Sequence, residues 1–273
     1  VPELPEVEVI RRQLEPLLTG KRISEVQIFR PEYVAGNQAA FLAKHLPGKK
    51  ILAVRRHGKM LLLDMESGGA FTIRLGMTGR ILLKARDAVR EKHTHWLLRW
   101  DGAGGKELHG VDPRRFGELG WLAEGEEVGM GTDALAITFT ELAAKLAKRS
   151  SAVYLAIIDQ GVLAGVGNIY ACEALHSAGI HPLHPSKSLT REESDRLIRM
   201  VQRTLKDAIE HGGSTIADYV SIDGKPGTFV EQHRVYDGEG KPCPVCGTPI
   251  ARVTIAGRSV YFCPQCQPQD GCA

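Results

Sequence analysis

The chain has 273 residues, 43% hydrophobic and 25% charged, a globular balance with length for two domains or three small ones. No apolar run approaches the roughly 20 residues that span a bilayer, and no positive leader followed by an apolar stretch is visible, so a cytoplasmic protein is expected. The net charge of +3 is unevenly spread: residues 1–60 carry 11 Lys and Arg against 6 Asp and Glu, whereas residues 117–141 carry six acids and no Lys or Arg. The basic part suits phosphates, and equally an ordinary solvated face.

Residues 4–18 read as an amphipathic helix. Val7, Ile10, Leu14 and Leu17 recur at helical spacing, Glu3, Glu6 and Glu8 sit at the positive end of its dipole, and Gly20 stops it. From Ile23 to Trp121 the texture changes to short strands broken by Gly, Asp and charged turns. Residues 51–55, 60–64, 70–75 and 96–100 are examples, and the pattern suggests a sandwich or barrel. The acidic stretch 124–133 reads as a linker. Helices are expected over 139–147, 152–159 and 169–177, and most clearly over 190–211. There Thr190 and Glu193 form a capping box, Leu197, Val201, Leu205 and Ile209 one stripe, and Gly212-Gly213 the stop.

The last forty residues hold Cys243-Pro-Val-Cys246 and, sixteen residues on, Cys263-Pro-Gln-Cys266. Two tight knuckles brought together by hairpins give four thiolates in a tetrahedron, the pattern of one structural zinc with no open position. A redox motif would want a thioredoxin-like βαβ setting, which is absent. Cys172 and Cys272 are left over, which suits a reducing compartment. Arg258, between the knuckles, is either a phosphate contact on a rigid tip or a solvated hairpin charge.

Five further strings stand out: Pro2-Glu3-Leu4-Pro5-Glu6-Val7-Glu8; Arg74-Leu75-Gly76-Met77-Thr78-Gly79; Asp112-Pro113-Arg114-Arg115-Phe116-Gly117; Gly165-Val166-Gly167-Asn168-Ile169-Tyr170, with Glu173 beyond; and Asp223-Gly224-Lys225-Pro226-Gly227. Together with the cysteines, in this order from residue 2 to 266, they resemble the formamidopyrimidine-DNA glycosylases. The resemblance implies an α+β protein. An N-terminal helix and β-sandwich with linker would span 1–133, a helical helix-two-turn-helix domain with a lesion-capping loop 134–228, and a zinc ribbon and tail 229–273. It implies a bifunctional glycosylase and lyase that removes 8-oxoguanine and formamidopyrimidines from double-stranded DNA held in a cleft between two halves. A zinc-containing, monomeric, nucleoid-associated protein follows from it.

The resemblance also assigns residues. Pro2 would be the nucleophile through its secondary amine, Glu3 the carboxylate beside it, and Lys59, counted with them as catalytic, the basic residue near the lesion phosphates. Met77, Arg114 and Phe116 would fill the hole left by the flipped base. His93, Asn168, Arg258, Glu6 and Glu173 complete the DNA-binding set, Glu6 as a helix-anchoring acid. By residue type alone, Met77 and Phe116 could be core, but flanking glycines argue for loop tips. Asn168 could be a phosphate ligand, a helix N-cap or both. Residues 213–229 would cover the extruded base. Three departures stand against the pattern. Val1, if retained, makes the Pro2 nitrogen an amide; a GUG start codon written as Val is the expected explanation, and a catalytically blocked lesion binder the alternative. Tyr154 stands where a lysine is expected, and Arg74 where many members have His. An endonuclease VIII-like enzyme acting on oxidised pyrimidines is the rival within the same chemistry.

Overall fold

The computed structural model describes residues 2–269, so Val1 and Cys272 lie outside the described residues. In chain order its first part holds α1 (Leu4–Leu18), β1 (Ile23–Ile28), α2 (Ala39–His45), β2 (Ile51–His57), β3 (Met60–Met65), β4 (Ala70–Arg74), β5 (Arg80–Ala85), β6 (Thr94–Trp100), β7 (Lys106–Val111) and β8 (Glu118–Leu122). The second part holds β9 (Thr132–Asp133), α3 (Phe139–Leu146), α4 (Val153–Ile158), β10 (Leu163–Ala164), α5 (Asn168–Ala178), α6 (Arg191–Glu210), β11 (Ala251–Ile255) and β12 (Arg258–Phe262).

The alternating strands build two four-stranded antiparallel sheets, ordered β1-β6-β7-β5 and β2-β3-β4-β8. Between them lie Phe71, Leu61, Leu63, Ile73, Trp96 and Leu98, all buried. Gly110 admits the Trp96 ring, because a Cβ there would stand 1.9 Å from it. Helix α1 buries Val7, Ile10, Leu14 and Leu18 in the same core and packs on β2 and β3. Leu17, expected in the buried stripe, is only partly buried; Leu18 takes the fully buried place. Residues 211–230 fold back into this unit. Leu83 donates its N–H to the Ile222 carbonyl at 2.7 Å, and Tyr219 and Ile222 join the sandwich core.

The other unit comprises residues 129–210 and 231–273. Helix α6 starts as its sequence requires: the Thr190 N–H donates to Glu193 Oε2 at 2.8 Å, and the Glu193 N–H to Thr190 Oγ1 at 3.1 Å. Leu197, Val201, Leu205 and Ile209 are buried, and α6 packs on α5 and α3. Three short elements were not expected. Helix α2 is a seven-residue helix with no side-chain cap. The end of the acidic stretch is not linker but β9, paired parallel with β10; two residues are too few to show a period. Among the described residues, no helix is long and apolar enough to cross a membrane.

Candidate nucleic-acid interface and metal centre

The head of α1 is anchored from inside. Pro2 is buried, Glu3 is buried as the N-cap residue, and Glu6 is completely buried. Glu6 Oε2 accepts the Glu3 N–H at 2.7 Å and Oε1 accepts the Ser214 N–H at 2.8 Å. Gly213, at φ +84°, passes so close that a Cβ would lie 2.7 Å from Glu6 Oε1. Glu6, grouped with the DNA-binding residues as a helix-anchoring acid, does the anchoring and faces no solvent. Its carboxylate is spent on backbone amides and ties the head of α1 to the 213–229 segment.

Lys59 stands with Gly58 in the two-residue turn joining β2 to β3, half-buried beside the His57–Met60 pair. The turn is braced by Arg56, which donates to Glu8 Oε2 at 3.1 Å and to the Gly58 carbonyl at 3.0 Å. Burial acts to raise the Glu8 carboxyl, but hydrogen bonds and charge from Arg11 and Arg56 hold it below its ordinary value. It stays an anion between the helix and the hairpin that carries Lys59.

Two loops at the ends of β4 and β7 carry the expected wedge. Met77 is half-buried, while Arg114 and Phe116 are exposed and the Arg114 guanidinium lies 4.7 Å over the Phe116 ring. The loops touch through backbone: a Cβ on Gly76, at φ +62°, would meet the Phe116 carbonyl carbon at 2.3 Å. Phe116 is thus an exposed tip and not core. His93 is exposed in the preceding loop at φ +72°, its carbonyl accepting the Asp112 N–H at 3.0 Å. Arg74, at the end of β4, pairs loosely with Glu118 at 3.9 Å.

In the other unit, α4 and α5 are joined by two turns pinned by Gln160. Its Nε2 donates to the carbonyls of Ile158 and Val166, each at 2.8 Å, and its Oε1 accepts the Gly165 N–H at 2.9 Å. Gln160 carries no spacing signal and went unassigned from sequence. Asn168 opens α5, but Gly167 is the cap residue, so the N-cap reading is corrected. Its side chain is held elsewhere: Oδ1 accepts the Tyr154 hydroxyl at 2.8 Å, and Nδ2 donates to the Ser259 carbonyl at 2.9 Å. That second bond joins α5 to β12 one residue past Arg258, which is exposed at the hairpin tip.

Buried Cys172 adds to the same seam by accepting the Tyr261 N–H at 3.5 Å. Glu173, expected among the DNA contacts, is also corrected. It is 2% exposed, and its carboxylate accepts the N–H groups of Arg234, Val235 and Tyr236 at 2.8–3.0 Å. Burial pushes its carboxyl up, against the three amides that pull it down.

The four sulfur atoms of Cys243, Cys246, Cys263 and Cys266 lie within 4.8 Å of one another. Metal–sulfur bonds of about 2.3 Å in a tetrahedron put sulfurs about 3.8 Å apart. The observed Cys243–Cys266 and Cys246–Cys263 separations are 3.9 and 3.4 Å. The donor set fits one structural zinc, closed to substrate because protein fills all four positions.

Comparison with known proteins agrees along the whole chain. Residues 1–119 match the formamidopyrimidine-DNA glycosylase N-terminal domain, residues 130–220 the H2TH domain of the same glycosylase, and residues 240–269 the zinc finger found in FPG and IleRS. The chain is 40% identical to formamidopyrimidine-DNA glycosylase of Gluconobacter oxydans, covering 98% of this chain and 100% of that one. The MutM (Fpg) structure from Thermus thermophilus superposes with a TM-score of 0.87 at 38% identity, over 99% of this chain and 100% of that chain. Lactococcus lactis Fpg, in complex with DNA containing an abasic site, gives a TM-score of 0.89 at 31% identity, over 98% and 100%. The chain belongs to the formamidopyrimidine-DNA glycosylase family.

Proposed function

We propose that the protein excises oxidised purines, 8-oxoguanine and formamidopyrimidines, from duplex DNA and then cuts the strand through an iminium on Pro2. The observation that carries this reading is the exposed wedge. Phe116 is 56% exposed, with Arg114 stacked on it and Met77 on the loop whose Gly76 meets the Phe116 backbone. A glycosylase must extrude its target base and fill the vacated stack. Apolar side chains unstack a step, and an arginine can hydrogen-bond the orphaned partner base.

The chemistry follows from a secondary amine. An N-terminal amine is far less basic than lysine, with a reference pKa of roughly 7.7–8.0, so a useful fraction is neutral near pH 7. The Pro2 nitrogen attacks C1′ and the damaged base leaves as that bond forms. Opening of the sugar ring, with Glu3 placed to protonate its oxygen, gives a C=N⁺ bond with no N–H proton to lose. That cation draws off electrons as the C2′ proton is removed, and the 3′ phosphate departs. A second elimination releases the 5′ phosphate. Lys59, in the turn braced by Arg56, serves as the basic group near these phosphates, with Asn168 and Arg258 as phosphate contacts and His93 nearby on the DNA-facing side. Glu6 contributes by holding the Pro2–Glu3 segment still.

The reading requires Pro2 to be the mature N-terminus. Borohydride reduction during turnover is expected to trap a one-to-one protein–DNA adduct, and its linked peptide to begin at Pro2 and exclude Lys59. Pro2→Gly retains some trapping because it still offers an amine, whereas an acetylated terminus abolishes it. Intact Val1 by mass together with efficient trapping would falsify Pro2 as the nucleophile. Intact Val1 without trapping would make the protein a lesion binder.

A further inference from the structure

Asp112 is fully buried, although Pro113, Arg114, Arg115 and Phe116, which follow it, are all exposed. A buried carboxylate needs partners for both oxygens. Asp112 has four. Oδ1 accepts the Thr78 hydroxyl and, at 3.2 Å, the Arg114 N–H. Oδ2 accepts the Gly117 N–H at 2.8 Å and the Tyr33 hydroxyl at 3.2 Å. Its own carbonyl meets His95 Nε2 at 2.7 Å, which fixes the backbone behind it.

These partners bracket the wedge. Thr78 follows Met77 directly, and Arg114 and Gly117 flank the exposed tip. Thr78 Oγ1 also accepts the Arg114 N–H at 3.2 Å, a second link between the loops. Behind them, a Cβ on Gly117 would stand 2.0 Å from the Tyr33 hydroxyl oxygen, so the loop base is seated without slack. Burial and the neighbouring Asp112 carboxylate push the Tyr33 hydroxyl above its usual value, so it remains a donor.

We propose that Asp112 is a positioning residue that fastens the Met77 and Arg114–Phe116 loops into one preassembled wedge before the protein meets DNA. The inference rests on the wedge role proposed above. Base extrusion then does not also have to order two separate loops. A carboxylate is required, because two of its four partners are backbone N–H groups on different oxygens. An asparagine amide could let either hydroxyl rotate and accept, but in each orientation its NH₂ faces one N–H, of Arg114 or of Gly117. Facing Gly117, the NH₂ leaves that N–H without the carboxylate acceptor; facing Arg114, it repels that N–H and leaves it only the bond to Thr78 Oγ1.

The test uses the full-length protein in rapid mixing with two duplexes. One carries 8-oxoguanine opposite cytosine with 2-aminopurine beside it to report unstacking. The other carries a pre-formed abasic site. Asp112→Asn is expected to slow the fluorescence rise and base excision by about tenfold or more, while cutting of the abasic duplex stays within about threefold of the wild type. Thr78→Val is expected to show the same split, and Thr78→Ser to restore the wild-type rate. An unchanged fluorescence rise in Asp112→Asn, or a parallel loss on both duplexes, overturns the proposal. Should Asp112→Asn not fold, Thr78→Val decides: no split there overturns it. If the wild type itself leaves 8-oxoguanine in place while cutting the abasic duplex, the proposed substrate fails instead.

Discussion

Tyr154 stands where the family pattern led to the expectation of a lysine, and the structure shows what its hydroxyl does. It is wholly buried and donates to Asn168 Oδ1, whose amide in turn holds the Ser259 carbonyl. A neutral donor suits that place, since an ammonium there would need compensation for burial. Tyr154→Phe is expected to cost about 0.5–1.5 kcal/mol, the net worth of one hydrogen bond. A melting temperature lowered by a few degrees, with weaker duplex binding, is the signature; unchanged values for both would remove the role. At this scale the sequence showed identity but not occupation. Glu6 and Glu173 were visible as acids within motifs, yet nothing in their spacing told that backbone amides from residues 214 and 234–236 consume them. Such partners are set by tertiary approach, which a local pattern does not encode.

Elements were more legible where local chemistry and period agree. Helix α6 has its capping box, stripe and stop written in consecutive residues, and the fold bears each out. The zinc ribbon was equally legible, because thiolate spacing is itself the structure. Helix α2 and the β9–β10 pair were hidden by shortness. For the ribbon, Cys246→Ser is expected to lose zinc and unfold residues 240–266 locally, since metal binding and folding are one equilibrium. Duplex affinity should fall while the sandwich keeps its melting transition; a variant that keeps one zinc per chain and binds normally contradicts this.

His233 gives the segment after residue 230 a pH dependence. Burial lowers its pKa from the ordinary 6.5 to about 4, against the opposing pull of Asp237. The unfolded chain therefore binds a proton that the folded one refuses. Stability is full above about pH 6.5 and falls as pH drops towards 4, by roughly 2 kcal/mol at pH 5. Urea midpoints from pH 7.5 to 5 should fall less steeply for His233→Gln than for the wild type, and parallel curves would exonerate His233.

The chain divides into two units that alternate along the sequence: residues 1–128 with 211–230, and residues 129–210 with 231–273. No motif announced this, because the return of 211–230 rests on the Glu6–Ser214 bond and on Tyr219 and Ile222 entering the sandwich core. A fragment of residues 1–128 should accordingly fail to show a cooperative melt, and one that melts like the intact sandwich would show 211–230 to be dispensable. The same alternation has a consequence in time. On the ribosome the sandwich cannot close when its last strand emerges. It must wait for about 100 further residues, from the end of β8 to Ile222, roughly 5–20 s at 5–20 residues per second. Through that interval the head of α1 lacks its anchor and part of an apolar core faces water. Slower synthesis between residues 129 and 211 is thus expected to lower the yield of folded protein, measurable with synonymous codon changes confined to that stretch.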